Sequence, residues 1–186
     1  MGKFKTSLTA IAVVIALGAC SQQAPESTST EAPSAASTEQ AQFDNVLLQE
    51  FKGPYGGVPA FDKMKLEDLK PALEKAMALN LEEIEAIANN EAPPTFENVI
   101  VEMERAGAEL SRVFTYYGIW SANKSSAEFR EIQAEMSPKL SAFFTQITQN
   151  EKLFARVRAV YESDALKTLT PEEQRITWMT YNNFAR

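Results

Sequence analysis

The sequence predicts an all-α protein, an antiparallel layer or bundle of about five helices preceded by a signal peptide and a disordered linker. Three observations carry this. From Leu69 onward large apolar residues recur three and four positions apart, which is the period of one helical face. Helix-start signals recur between these runs, at Thr95, Ser125, Asn150 and Thr170. No stretch alternates apolar and polar residues for long enough to make a useful strand.

An extended start, VLLQEFKGPYGGVPAFDKM, leads into the first helix. Leu69, Leu73, Met77, Leu81, Ile84 and Ala88 form its apolar stripe, and Pro71 falls in the first turn, where a missing N–H costs least. Asn89, Asn90, Pro93 and Pro94 stop it. Thr95 caps the second helix, with Glu97 favourable to the dipole at its N-terminus. The stripe of that helix is Phe96, Val99, Ile100, Met103, Ala106, Leu110, Val113, Phe114 and Tyr117.

Ser125 and Glu128 make a Ser-x-x-Glu capping box for the third helix. Phe129, Ile132, Met136, Leu140, Phe143 and Ile147 form its inner face, and Pro138 in the middle predicts a kink. Asn150 caps a shorter helix carrying Leu153, Phe154, Val157 and Val160. Thr170-Pro171-Glu172-Glu173 joins a capping box to proline at the first helical position. The last helix then carries Ile176, Met179 and Phe184 and is still running at Arg186. Asn182 and Asn183 leave a natural stop open. Five helices with broad apolar faces nevertheless want more partner surface than they give one another, so a piece of a longer protein is expected.

The N-terminal residues follow another logic. Lys3 and Lys5 precede an uncharged, mostly apolar run from Leu8 to Ala19, too short for the ~20 residues that span a bilayer. A charged start, a short apolar run and small residues before a cut describe a secretory signal peptide over residues 1–19. Leu17-Gly18-Ala19-Cys20 resembles a bacterial lipobox, in which the cysteine receives a diacylglycerol and becomes the new N-terminus. Cys20 is thus the expected lipidation site and a membrane the expected partner, since two or three acyl chains make a lasting anchor. In lipoproteins of this kind an aspartate after the cysteine often signals inner-membrane retention. Ser21 stands there, which points to the outer membrane facing the periplasm.

Residues 20–44 hold this cysteine and a Ser-, Thr-, Ala-, Gln-, Glu- and Pro-rich stretch with almost no large apolar side chains. Such a composition cannot offset its ordering entropy and predicts a disordered linker, spanning on the order of 25 Å on average as a flexible coil. The folded part is expected over 45–186.

Cys20 is the single cysteine and histidine is absent. No intramolecular disulfide can form, and Cys20 lacks an imidazole partner for nucleophilic or zinc chemistry. The whole sequence has a formal charge of −7, and loss of Lys3 and Lys5 with the signal makes the mature chain two charges more acidic. That balance excludes nucleic acid as an expected partner. Glu82, Glu83 and Glu85, and then Glu97, Glu102 and Glu104, crowd two helices and read as solvated faces.

Two stretches, EFKGPYGGVPAFDKMKLEDLKPALEKAM and EIEAIANNEAPPTFENVIVEMERAG, resemble the N-terminal region of bacterial peptidyl-dipeptidases (dipeptidyl carboxypeptidases). These are zinc metallopeptidases of the thimet-oligopeptidase-like family. The resemblance continues through MSPKLSAFFTQITQNEKLFARVRAVY and LTPEEQR and so covers 45–186. It implies a large, nearly all-helical enzyme with a deep channel that removes dipeptides from the C-termini of short oligopeptides. It also implies zinc held by a His-Glu-x-x-His helix and a downstream glutamate. No position here can receive those residues, so neither a catalytic nor a metal-binding residue is expected in this chain, nor any hydrolysis by it alone. Tyr116, Tyr117 and Trp120 could wall one side of the family's peptide channel, although aromatics at this spacing usually fill a core. The competing expectation is a self-sufficient helical lipoprotein acting as a binding or scaffolding module.

Overall fold

The structure, a computed structural model, describes residues 45–53 and 57–185. The signal peptide read over 1–19, the lipidation site Cys20 and the linker that follows lie outside the described residues. Those described are helical, with one isolated antiparallel bridge between Lys52 and Val58 and no strand among them. The expected all-α class holds.

The apolar stripe at positions 69–88 winds α1 (Leu69–Ala88), entered through a 3-10 turn at Leu66–Asp68. Asn89 ends it, its side-chain amide donating back to the Glu85 carbonyl at 2.8 Å. Thr95 then caps a π-helical turn, Phe96–Val101, which runs into α2 (Glu102–Arg105). The cap is reciprocal. Thr95 Oγ1 accepts from the Asn98 N–H at 3.1 Å, and Asn98 Oδ1 accepts from the Thr95 N–H at 2.9 Å.

The second expected helix does not run through. It breaks at Gly107, whose φ of +79° lies in the left-handed region, open to glycine at little cost. The chain restarts as α3 (Ala108–Asn123). The apolar spacing continued across the break and concealed it.

α4 (Ala127–Thr148) starts one residue later than expected: Ser126, not Ser125, is the cap and accepts from the Phe129 N–H at 3.2 Å. Pro138 sits inside α4, which continues unbroken to Thr148. Asn150 caps α5 (Glu151–Tyr161), accepting from the Leu153 N–H at 2.9 Å. Thr170 and Glu173 close the expected capping box of α6 (Pro171–Phe184), with Pro171 at the first helical position.

Helix direction can be read from three contacts. Lys70 meets Glu135 at 2.6 Å, Lys139 meets Glu74 at 2.6 Å, and Asn150 meets Glu85 at 3.1 Å. Each pair has the same sequence offset of 65 residues, so α1 and α4 run parallel in a fixed register. α3 runs back between them: its start meets the end of α1 at Glu83, and Tyr117 further along meets Phe129 and Gln133 at the start of α4.

The main core lies among these three helices, with Leu69, Leu73, Val113, Tyr116, Phe129 and Met136 buried together. Burying each such side chain contributes about 1.5–3 kcal/mol. Two smaller clusters attach α5 and α6: Ile84 and Ile87 on Leu153, and Val99 and Ile100 on Val157 and Val160.

α6 joins through stacked rings, Phe154 on Phe184 at 5.8 Å and Tyr161 on Tyr181 at 4.3 Å. Its inner face is therefore Thr177, Tyr181 and Phe184. Ile176 and Met179, expected on the apolar face, point outward.

One charge is buried with the apolar residues of α5. Arg156, 8% exposed, donates through Nη1 to the carbonyls of Asn90 and Ala92 and through Nη2 to Asn98 Oδ1 at 3.1 Å. It thereby fastens the proline-containing connection between α1 and the π-turn. Its Nε–H has no partner among the protein atoms.

Candidate functional site

The three aromatic residues singled out in the sequence follow one another along α3. Tyr116 is buried, and its hydroxyl accepts a hydrogen bond from the Ala60 N–H at 2.8 Å. Phe51 and Phe61 stand edge-on to its ring, with centroids at 5.9 and 6.1 Å, an arrangement favoured by the ring quadrupoles. Tyr116 therefore anchors the N-terminal segment to the helical layer. Arg112, one turn earlier, fastens the same segment: its Nε donates to the Leu48 carbonyl at 3.0 Å, and Nη2 pairs with Glu109 at 2.6 Å.

Gly57 lets that segment fold back. Its φ is +96°, and a Cβ there would lie 2.3 Å from the Phe51 carbonyl oxygen. Between the folded segment and α3 lies a cavity of about 360 Å³. Phe51, Val58, Pro59 and Tyr116 supply its apolar lining, with Lys52 and Lys63 among the charged residues that border it.

Tyr117 and Trp120 sit elsewhere. The Tyr117 hydroxyl accepts from Gln133 Nε2 at 3.0 Å, and its ring packs against Phe114 and Phe129. Trp120 is buried in the main core. The structure thus places the three residues in the packing between helices and brings Tyr116 of the three to the cavity.

The acidic residues divide by structural role. Glu82, Glu97 and Glu104 are exposed. Glu102 pairs with Arg105 at 2.7 Å, and Glu85 accepts from Asn89 and Asn150. Glu83, read as part of a solvated face, is half-buried and reaches the turn before α3, where its Oε2 accepts from the Gly107 N–H at 2.7 Å.

Among the described residues no three His, Cys, Asp or Glu side chains gather into a set that could hold a metal ion. The clearest electrostatic feature is instead the exposed network joining α1 to α4. Hydrogen bonds from Lys70 and then Lys139 hold the Glu135 carboxyl below its ordinary range. Glu74 and then Glu135 raise the Lys139 ammonium. These are paired charges on an exposed surface.

A family profile described as the N-terminal domain of neurolysin/thimet oligopeptidase matches residues 70–184. The chain belongs to that family. Among curated relatives, the dipeptidyl carboxypeptidase of Salmonella typhimurium (strain LT2) is 33% identical over 140 residues, covering 75% of this chain and 20% of the relative. The Escherichia coli K12 dipeptidyl carboxypeptidase is 30% identical over the same length, with the same coverage. The oligopeptidase A of Salmonella typhimurium is 29% identical over 131 residues, or 70% of this chain and 18% of that protein.

This chain therefore spans about a fifth of the length of these relatives. The part matched to the neurolysin/thimet oligopeptidase family begins at the second residue of α1 and runs to the end of α6. Sequence reasoning missed Glu83 and Arg156. A local signal existed for Arg156, which lies at the buried helical phase beside Leu153, Val157 and Val160.

Proposed function

We propose that this chain is the N-terminal helical layer of an exported, lipid-anchored zinc peptidyl-dipeptidase, which releases dipeptides from the C-termini of oligopeptides. The observation that carries the reading is the family match over residues 70–184 in a chain without histidine. The longer match to the dipeptidyl carboxypeptidases, 75% of this chain against 70% for oligopeptidase A, supports the dipeptide-releasing reading.

The residues of this chain do not fit zinc. It contains no imidazole, and its described carboxylates are dispersed or committed to structural partners. The metal and the general base belong to a part of the enzyme beyond this layer, and this layer contributes no chemical step. Its contribution is architectural: a stiff three-helix wall, with Tyr116 at a cavity on one side as the residue best placed to border the peptide channel.

Cys20 tethers the layer to the outer membrane on its periplasmic side, with residues 21–44 as spacer. The lipobox-like LGAC and the export signal before it support this. Among the described residues no helix is long and apolar enough to cross a membrane.

Reading the genomic DNA beyond codon 186 tests the proposal. An in-frame continuation carrying His-Glu-x-x-His is the expected result. An immediate stop followed by unrelated genes would replace the proposal with a stand-alone helical lipoprotein that binds or scaffolds.

A further inference from the structure

The last helix is inverted in polarity. Thr177 on α6 is completely buried, its hydroxyl donating to the Glu173 carbonyl at 2.8 Å. Ile176, Trp178 and Met179 around it are 39%, 47% and 47% exposed. Ile176 and Met179 lie three residues apart and so share one face, turned away from Thr177. Trp178 flanks them, with the Arg175 guanidinium over its ring at 6.0 Å.

A single exposed apolar residue is ordinary. Three within four positions, on a helix that buries a threonine, make a patch of the kind that marks an interaction site. Nothing in the described layer covers it: α6 is held by Phe154, Tyr161 and the α5 cluster on its other face.

We infer that the outward face of α6, centred on Ile176 and Met179 with Trp178 at its edge, is the surface on which the rest of a dipeptidyl carboxypeptidase-type polypeptide docks. The inference rests on the family reading above and adds the place of contact. Two observations select this occupant over a second copy. The matching profile is that of an N-terminal domain, which in its family is part of a longer polypeptide. The relatives that share this layer carry about four-fifths of their length outside the match.

The test compares one double variant, Ile176→Gln with Met179→Gln, in two settings. The first is this chain itself. The second is a chimera in which residues 45–186 replace the matching N-terminal fifth of the Salmonella typhimurium dipeptidyl carboxypeptidase. The variant should leave the Tm of the chain within about 1 °C, because exposed substitutions cost little, and lower that of the chimera by about 4 °C or more.

An unchanged Tm in an active chimera would overturn the docking surface while leaving the family reading intact. A chimera that neither folds nor hydrolyses with the native α6 would overturn that reading and the inference with it. Sedimentation provides the remaining arm: a dimer of the chain abolished by the double variant would make a second copy the occupant and overturn the proposal.

Discussion

The Glu83 carboxylate on α1 accepts the Gly107 N–H at 2.7 Å, across 24 residues of sequence. It takes up the N–H of the N-cap residue of α3, the donor that an N3 side chain accepts in a capping box; N3 here is Leu110, which has no acceptor. Asn80 approaches from the same face of α1, donating to Glu83 at 3.4 Å. A Cβ on Gly107 would meet its side chain at 3.1 Å.

Two substitutions probe this junction. Gly107→Ala places an L side chain in the left-handed region and against Asn80, and should cost about 1–2 kcal/mol. Glu83→Ala leaves the Gly107 N–H without its acceptor and should cost about 1–3 kcal/mol. Each would lower Tm by several degrees at about 2–4 °C per kcal/mol, whereas Glu82→Ala on the exposed side should not. Wild-type melting of Gly107→Ala would contradict the account.

Arg156 makes a different kind of prediction. Its removal frees three acceptors in the 90–98 connection but also removes the penalty of burying a guanidinium. Arg156→Met should therefore change global stability by only about 1 kcal/mol. Hydrogen exchange in the connection should accelerate well beyond that in α3. Arg156→Lys should restore little, since a single ammonium cannot reproduce a planar fork of donors. Equal protection of the connection in all three proteins would sink the assignment.

How much of this was legible in the sequence depended on range. Asn150 and Thr170 cap through their own neighbours, so their roles could be read directly, and the α1 stripe followed from its period. Helical phase marks Arg156 as buried, but the decisive partners of Glu83 and Arg156 lie 24 to 66 residues away, and no local pattern identifies them. α6 was legible in part: of the expected face Ile176, Met179 and Phe184, Phe184 packs inward with Thr177 and Tyr181, while Ile176 and Met179 are exposed. Polarity favoured Ile176 and Met179, while the rings of Phe154 and Tyr161 select the face of Tyr181 and Phe184. The Tyr116 site was legible as aromatic residues on a helix, but its bond to Ala60 was not.

The α1–α4 charge network sets a pH dependence at both ends. The Glu135 pKa is lowered in the folded state, so its contribution is present above the ordinary value of 4.5 and is lost as pH falls through the shifted one. The Lys139 pKa is raised, so its contribution is complete below 10.5 and is lost as pH rises through the shifted value. Glu135→Gln should remove the acid-side loss that this residue causes. The difference from wild type should shrink on moving from low salt to about 1 M, where the Debye length is about 3 Å. A salt-independent difference would contradict the surface-network reading.

The proposed tether at Cys20 has a test of its own. In a bacterial host that processes lipoproteins, the chain should partition into detergent and gain the mass of a diacylglycerol-modified N-terminus. Cys20→Ala should move it to the aqueous phase without altering the melting of residues 45–186. Aqueous partitioning of the native chain would refute the tether.

The central claim is that this helical layer positions other parts of a peptidase and performs no hydrolysis itself. The direct measurement is to incubate the purified chain with zinc and an oligopeptide bearing a free C-terminus, following dipeptide release by mass spectrometry. The account predicts no release above buffer. Dipeptides that accumulate with the chain and cease when a chelator is added would contradict it.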